Sequence, residues 1–327
     1  MRIAVTGSIA TDHLMVFDGV FSDSLVVEQL DKVALSFLVQ DLQIRRGGVA
    51  ANISFGLANL GLNPLLIGAV GEDFAEYRSW LERHGVDCTF VHVSELLHTS
   101  RFICTTDRHQ AQIASFYAGA MSEARQIELA PAQAAGPLEL VVISPNDPEA
   151  MLRHTEECRS RNIPFAADPS QQLAWSEGPQ IRDLIDGAAF LFTNDYEAAL
   201  ISQKTGWSAD EVLARVRTRV TTHGKDGVVV ERADGDVVRV PAVRTEKIAD
   251  PTGVGDGFRA GFMAALSWGL PNERCAQVGC TLATLVLETV GTQEYDLRRL
   301  AFLDRLAHAY GDGAAAEVEP HLKTLHP

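Results

Sequence analysis

Short apolar runs alternate along the chain with longer segments in which apolar residues recur every three or four positions. Such runs, many of them followed by Gly, Asp or Asn, are typical of strands buried on both faces of a parallel sheet. The predicted strands are 3–6, 65–69, 138–143, 165–167, 190–193, 216–222 and 228–231. The predicted helices are 50–60, 74–84, 147–161, 196–203, 209–214, 256–269 and 272–288. This alternation predicts a three-layer α/β/α fold with a mostly parallel central sheet and helices on both faces.

Two segments depart from that rhythm: 17–45 mixes Val, Phe and Leu with polar residues, and 88–117 alternates apolar and polar residues over long stretches. Strands with one covered face show this alternation. We interpret the two segments as a lid made of a small antiparallel β-sheet, formed by insertions at about 12–45 and 86–120. The remainder forms one domain, so that 1–327 is a single unit. The tail after Tyr310 is polar and predicted to fray.

The second insertion contains a predicted hairpin, in which residues 99–106 pair with 112–117. If its loop centres on His109, Phe102 lies opposite Phe116, roughly 5 Å away between Cβ atoms. Two facing aromatic rings can form a stacking platform for a flat ligand. They can equally be ordinary residues of the lid core, and a two-residue loop would separate them.

Composition excludes several classes of partner. The chain has 28 Lys and Arg against 43 Asp and Glu, a net charge of −15, which is the wrong sign for binding a nucleic-acid backbone. Its five cysteines are odd in number and lack C-x-x-C spacing, so neither a disulfide framework nor a zinc site is indicated. No apolar stretch approaches the roughly 20 residues of a membrane span. We expect a soluble cytoplasmic protein with no nucleic-acid or membrane partner.

A glycine-rich turn carries the clearest candidate chemistry, reading DPTGVGD at 250–256 directly before a predicted helix. Gly253 and Gly255 leave the backbone free to wrap an anion, and the amides of a first helical turn lack intrahelical partners. Asp256 at this junction could accept a hydroxyl proton while the amides of Gly253, Val254 and Gly255 stabilise a transferred phosphoryl group. The alternative is a plain helix entry with an Asp near the N-cap.

Ligands of open parallel sheets bind beyond the carboxyl ends of the strands. Asp168, Asn194 and Thr222 each stand at or directly after the end of a predicted strand. We therefore expect these residues and the Gly253 loop to lie close together.

Four motifs occur in order along the chain: GGVAAN at 47–52, NDYE at 194–197, THGKDG at 222–227 and DPTGVGD at 250–256. In type and order they resemble the signatures of the ribokinase-like (PfkB) carbohydrate and nucleoside kinases. Within that family, segments 7–15, 36–39, 112–124, 168–172 and 194–196 resemble the actinobacterial-type adenosine kinases. Two residues depart from the usual pattern: Val254 replaces the more common Ala, and Gly257 is expected to loosen the first helical turn.

The resemblance implies a kinase that uses ATP with Mg²⁺, and it allows a potassium ion near the anion-binding turn. It places ATP near Asn194, Thr222, Gly224 and Gly227, and magnesium on Glu197 through ordered water. Each of these residues also has a purely local interpretation. Asn194 and Glu197 can form a capping box, and the glycines can turn a hairpin.

The acceptor site starts after the first predicted strand, where Asp12 can accept two hydrogen bonds from a vicinal diol or can be a turn residue. The resemblance implies that Ser8, Asp12, Gly48 and Asn52 bind the sugar. It further implies that Phe102 and Phe116 hold a nucleobase, with Gln172 at the edge of the base.

The implied reaction is phosphorylation of the 5′-hydroxyl of adenosine to give AMP and ADP, as in purine salvage. The alternatives are a sugar kinase for a ribose- or fructose-like acceptor, a kinase for another nucleoside, or a non-catalytic nucleoside sensor. By analogy with the family we also expect a homodimer formed through the lid.

Overall fold

The computed structural model describes residues 1–24, 36–323 and 325. The strands are β1 (Ile3–Thr6), β2 (Ala10–Val16), β3 (Asp41–Gly47), β4 (Leu65–Ile67), β5 (Ala69–Gly71), β6 (His92–Ser94), β7 (Ser100–Thr106), β8 (Gln112–Tyr117), β9 (Leu140–Ile143), β10 (Phe165–Ala167), β11 (Phe190–Asn194), β12 (Thr218–Thr222), β13 (Val228–Arg232) and β14 (Val237–Val240). The helices are α1 (Phe21–Ser24), α2 (Val49–Asn59), α3 (Ala75–Arg83), α4 (Ala130–Ala134), α5 (Pro148–Ser160), α6 (Gly178–Ile185), α7 (Asp195–Thr205), α8 (Ala209–Leu213), α9 (Val254–Ser267), α10 (Asn272–Leu287), α11 (Arg299–Tyr310) and α12 (Asp312–Val318).

The central sheet has eight strands in the order β14-β13-β12-β11-β10-β9-β1-β4. The six strands from β12 to β4 are parallel, and β13 and β14 extend the sheet antiparallel at one edge. The predicted α/β fold with a mostly parallel sheet is therefore confirmed. Because β1, β10, β11 and β12 point the same way, the residues that follow them emerge at one edge of the sheet.

Successive residues of the central strands face two separate cores. On β1, Ile3 and Val5 pack in the core that includes α2, α9 and α10, whereas Ala4 packs in the core that includes α5 and α6. β9 alternates in the same way. This period of two explains why the buried strands read as continuous apolar runs instead of an alternating pattern.

A second sheet of four strands, in the order β3-β2-β7-β8, is separate from the central sheet. Its pairing places Phe102 directly opposite Phe116, as predicted from a loop centred on His109. The prediction that this sheet is antiparallel is wrong for its central pair, because β2 and β7 are parallel. The predicted second insertion, 86–120, also contains β6, which does not belong to this sheet. β6 pairs with β5 in a separate sheet of two strands. Residues 25–35 of the first predicted insertion lie outside the described residues.

Helices α9 and α10 cross at glycine contacts. A Cβ on Gly261 would lie 2.8 Å from the Cα of Gly279, and a Cβ on Gly257 would lie 2.8 Å from a methyl group of Val286. Gly257 N–H still donates to Gly253 O over 2.9 Å. Gly257 thus permits close helix packing, and the prediction that it loosens the first turn is wrong.

Several elements differ from the sequence prediction. The predicted strand 65–69 is divided into β4 and β5, which belong to different sheets. Helices α6 and α11 were not predicted, nor was α12. The chain after Tyr310 does not fray up to Leu322, because Val318 and Leu322 are fully buried. In the described part of the chain, no helix has the length and apolar character needed to cross a bilayer.

Candidate active site

The glycine turn before α9 has the geometry expected of an anion-binding helix start. Gly253 is the N-cap residue with a left-handed backbone, φ 75°, a conformation that favours glycine. A Cβ there would also lie 2.8 Å from the side chain of Thr292. The next amides, those of the first turn of α9, point away from the helix and carry partial positive charge. This arrangement can hold a phosphoryl group.

Asp256 lies in this first turn and is held by a chain of polar side chains. Asn52 Nδ2 of α2 donates to Asp256 Oδ2 over 2.8 Å. Asn52 Oδ1 in turn accepts from Gln293 Nε2 over 3.0 Å and lies 2.9 Å from Thr292 Oγ1. Gln293 also contacts the buried hydroxyl of Tyr77. The amide of Asn52 therefore cannot rotate freely, and it fixes the orientation of the Asp256 carboxylate.

Burial raises the pKa of Asp256 to about 6, against the opposing effects of Arg259 and of the hydrogen bond from Asn52. A carboxylate with a pKa near 6 is ionised at neutral pH and is more basic than a free aspartate. This is the direction in which enzymes tune a general base. Asp256 thus has both the position and the basicity to accept a proton from a substrate hydroxyl.

Arg259, one turn further along α9, was not singled out from the sequence. Its Nη2 lies 2.6 Å from Oδ1 of Asp168, and both side chains are almost fully buried. A Cβ on Gly255 would lie 2.7 Å from Arg259 Nη1, so the guanidinium lies directly against the anion-binding turn. Burial opposes protonation, yet the carboxylates of Asp168, Asp256 and Glu197 raise the pKa of Arg259. Arg259 is thus paired with Asp168 and is also influenced by the charges of Asp256 and Glu197.

A cavity of about 660 Å³ opens beside Asp256. It is lined by predicted acceptor residues, namely Ser8, Asp12, Gly48, Asn52, Phe102, Phe116 and Gln172. It also reaches Gly253 and Asp256 of the glycine turn. The structure thus brings the predicted sugar, base and catalytic residues to one cavity.

One register row of the small sheet forms a wall of that cavity. Asp12, Phe102 and Phe116 line the cavity and are consecutive partners across β2, β7 and β8. Arg45 of β3 pairs with Asp12 in the same row. Side chains in one such row face the same side of a sheet. The row therefore sets a carboxylate suited to a diol beside two aromatic rings suited to a flat ring.

Burial also raises the pKa of Asp12 to about 6, with a further rise from Asp250 and an opposing effect from Arg45. The half-buried carboxylate has no side-chain donor in its row except Arg45. Paired hydroxyl groups of a ligand would supply the missing donors, because a carboxylate accepts several hydrogen bonds.

Ser8 and Gly48 shape the floor of the cavity. Ser8 Oγ accepts from Val49 N–H over 3.0 Å at the start of α2. Gly48 has φ 93°, and a Cβ there would meet the backbone of Ser8 and Ala10 at 2.6 Å. Only glycine fits this close approach of two backbone segments. Gln172 donates to Asn146 O over 2.9 Å, and this contact directs its side chain along the cavity wall.

The predicted ATP residues lie at the carboxyl ends of β11 and β12. Asn194 and Glu197 form a reciprocal capping box on α7, with both hydrogen bonds at 2.8 Å. The local interpretation of this motif is therefore correct, and it leaves Glu197 Oε1 to accept from Ser170 over 3.2 Å. Gly224 has φ 57° and open space where a Cβ would stand, and Gly227 has φ 101° against the backbone of Val240.

Comparisons with known proteins agree with this geometry. The family profile described as pfkB family carbohydrate kinase matches residues 11–298. A nucleoside kinase of Methanocaldococcus jannaschii is 30% identical over 269 residues, which span 82% of this chain and 87% of that protein. The solved structure of a Burkholderia thailandensis nucleoside kinase in complex with inosine is 32% identical, with a TM-score of 0.83, and covers 95% of this chain and 99% of that one. Adenosine kinase 1 of Arabidopsis thaliana is 34% identical over 118 residues, or 31% of this chain and 34% of that protein.

The chain belongs to the PfkB family of carbohydrate kinases. The predicted family and the ribokinase-like fold are confirmed. Kinases of this family take ATP as the phosphate donor, typically with Mg²⁺. The finer prediction of adenosine as acceptor is not confirmed, because the adenosine kinase match covers less than a third of the chain.

Proposed function

We propose that this protein transfers the γ-phosphoryl group of ATP to the 5′-hydroxyl of a nucleoside, with adenosine as the first expected acceptor. The observation that carries the proposal is the register row in which Asp12 stands beside Phe102 and Phe116. A free sugar would use the carboxylate but leave the two rings without a partner. A nucleoside presents a diol and a flat base together.

The reaction follows from the residues around the cavity. The ribose hydroxyls would bind Asp12, and the base would stack on Phe102 and Phe116, so that the 5′-hydroxyl points at Asp256. Asp256 would take the hydroxyl proton as the 5′-oxygen bonds to the γ-phosphorus of ATP, while the bond from that phosphorus to the bridging oxygen breaks and ADP leaves. The amides of Gly253, Val254 and Gly255 would stabilise charge on the transferred group. ATP would lie along the strand ends near Asn194, Thr222, Gly224 and Gly227.

The residues around Arg259 fit a magnesium ion. Arg259 pairs with Asp168, and the carboxylates of Asp256 and Glu197 also raise the pKa of Arg259. Asp168 Oδ2 has no hydrogen-bond partner among the described residues. The described residues form no metal cage of three or more His, Cys, Asp or Glu side chains. Magnesium needs none, since it keeps several waters and binds through one or two carboxylates plus phosphate. Glu197 would hold the ion through water, and the ion would neutralise charge on the phosphates.

The choice of adenosine as the acceptor has one serious alternative, a kinase that accepts several nucleosides. The M. jannaschii and B. thailandensis relatives are described as nucleoside kinases, and inosine occupies the second. This favours a broader acceptor range as the second candidate. The test is a coupled ADP-release assay with MgATP on adenosine, inosine, guanosine, cytidine, ribose, fructose and fructose 6-phosphate. Turnover of free sugars alone would reject the proposal, and tight nucleoside binding without turnover would indicate a sensor.

Phe102→Ala should separate a nucleoside kinase from a sugar kinase. We expect KM for nucleosides to rise roughly 5- to 100-fold, because base–aromatic stacking is lost, whereas any KM for ribose should stay unchanged. Ile103→Ala is the matched control, since the next residue of β7 faces the other side of the sheet. Equal effects of Phe102→Ala on nucleosides and ribose would show that Phe102 merely supports the lid.

We also propose a homodimer formed through the small sheet. The face opposite the cavity exposes Leu42, Ile44, Ile113 and Tyr117, at 52%, 61%, 47% and 40%. An exposed apolar sheet face of this kind is covered by a second copy in many assemblies. Ile44→Glu should convert a dimer to a monomer in light scattering, and a wild-type monomer would contradict the proposal.

A further inference from the structure

Trp175 is an unusual surface residue. Its side chain is 82% exposed, although tryptophan is among the residues that bury most surface on average. The other three tryptophans are packed: Trp80 stacks on Phe55, Trp268 stacks on a histidine, and Trp207 lies 4.0 Å from the guanidinium of Arg215. Among the four tryptophans, Trp175 therefore stands out by its exposure.

The backbone around Trp175 is fixed by a single cation. Lys204 Nζ donates to the carbonyl groups of Leu173, Ala174 and Ser176 at 2.7, 2.9 and 2.9 Å. Three charge-assisted hydrogen bonds hold the end of the 3-10 turn Ser170–Ala174 against α7. The exposed indole therefore projects from a backbone segment that three hydrogen bonds tie to α7.

The indole lines the same cavity as Phe102 and Phe116. The two phenylalanines belong to the small sheet, whereas Trp175 belongs to the segment that follows β10 of the central sheet. The cavity therefore has aromatic residues on two structurally separate walls. A ligand that fills it can contact both the small sheet and the segment that carries Trp175.

We propose that Trp175 is a third aromatic contact for the base, a specificity residue that packs on the nucleoside after it has entered the cavity. This rests on the proposed nucleoside kinase function. Stacking the indole on a base removes apolar area of both from water, and it tolerates different bases because every base has a π-face. A free sugar lacks such a face, so Trp175 favours nucleosides over sugars without excluding particular bases.

Binding can be tested without turnover by acrylamide quenching of tryptophan emission. Trp175 is the most exposed of the four tryptophans, so it dominates quenching of the free protein. Saturating adenosine or inosine, without ATP, should lower the quenching constant, and ribose should leave it unchanged. Trp175→Phe should show low quenching in every state. Unchanged quenching with a bound nucleoside would overturn the proposal.

Kinetics test the same contact. Trp175→Ala should raise KM for nucleosides roughly 5- to 50-fold with kcat within about twofold of wild type, since the residue does not contact the reacting atoms. Trp175→Phe should restore most of the affinity, which separates a stacking role from a folding defect. Leu96→Ala, at an 88% exposed side chain outside this cavity, is the matched control.

The outcomes distinguish this proposal from the one on which it rests. Nucleoside turnover by the wild type with an unchanged KM in Trp175→Ala would overturn the role of Trp175 and leave the nucleoside kinase standing. Wild-type turnover of sugars alone would overturn both. A fall in kcat at constant KM would also overturn a binding role for Trp175.

Discussion

Asp256→Asn is expected to lower kcat about 10²–10⁴-fold, the range typical of a removed general base. The amide keeps the shape of the carboxylate and can still contact Asn52, so KM for the acceptor should change little. The measurement is steady-state ADP release at saturating MgATP. Asp304→Asn, at an exposed carboxylate of α11, is the control and should retain full activity.

The same variant should be more stable than the wild type at neutral pH. Burial raises the pKa of Asp256 to about 6, so folding favours the protonated group. The stability that this group contributes is present at low pH and is lost as pH rises through about 6. Asparagine is neutral at every pH, and it should therefore raise Tm at pH 8 but not at pH 4. An inactive variant with a lowered Tm at pH 8 would point to misfolding instead of lost chemistry.

The pH profile of the wild type provides a second readout. The free enzyme needs Asp256 ionised, so kcat/KM should fall as pH drops below about 6. Asp12, with its pKa also raised to about 6, should steepen that fall because its ionised form accepts the ribose hydroxyls. A flat profile down to pH 5 would contradict the assignment of Asp256 as the base.

The sequence predicted those parts of the site that local patterns encode. The glycine turn identified Asp256, because glycines before an apolar helix are a local signal. A hairpin loop centred on His109 predicted that Phe102 lies opposite Phe116, since the register of a hairpin follows from its loop. The parallel sheet followed from apolar runs that end in Gly, Asp or Asn.

Other parts of the site depend on contacts that no local pattern records. Thr292 and Gln293 are 240 and 241 residues from Asn52 along the chain, yet both contact its side chain. Only the packing of α10 against α9 brings their loop to the site. Arg259 did leave a signal that was missed: a charged residue three positions after Asp256 inside an otherwise apolar helix must find a buried partner.

The missed helices have a similar physical cause. Helix α12 has a short apolar stripe of Ala314 and Val318, too brief to stand out from its polar neighbours. Both residues are nevertheless buried against the large core. Tertiary packing therefore stabilises a segment whose own sequence predicts fraying.

Arg259→Met is expected to destabilise the fold by about 3–5 kcal/mol at pH 8, because it leaves the buried carboxylate of Asp168 without its cation. The pair is 2.6 Å apart, and Asp168 is fully buried. Urea unfolding would measure the loss. Arg298→Met, which removes the ion pair with the exposed Asp296, is the matched control and should cost at most about 1 kcal/mol.

The loss of unfolding free energy caused by Arg259→Met should depend on pH. Burial, together with Asp256 and Glu197, raises the pKa of Asp168 to about 7 even against the opposing effect of Arg259. Without Arg259 that pKa rises further, and a proton replaces the missing cation at lower pH. The loss should therefore be smaller at pH 6 than at pH 8, and Asp168→Asn combined with Arg259→Met should recover much of it. An equal loss at both pH values would show that Arg259 acts by filling space against Gly255, and the charge of the pair would then be irrelevant to stability.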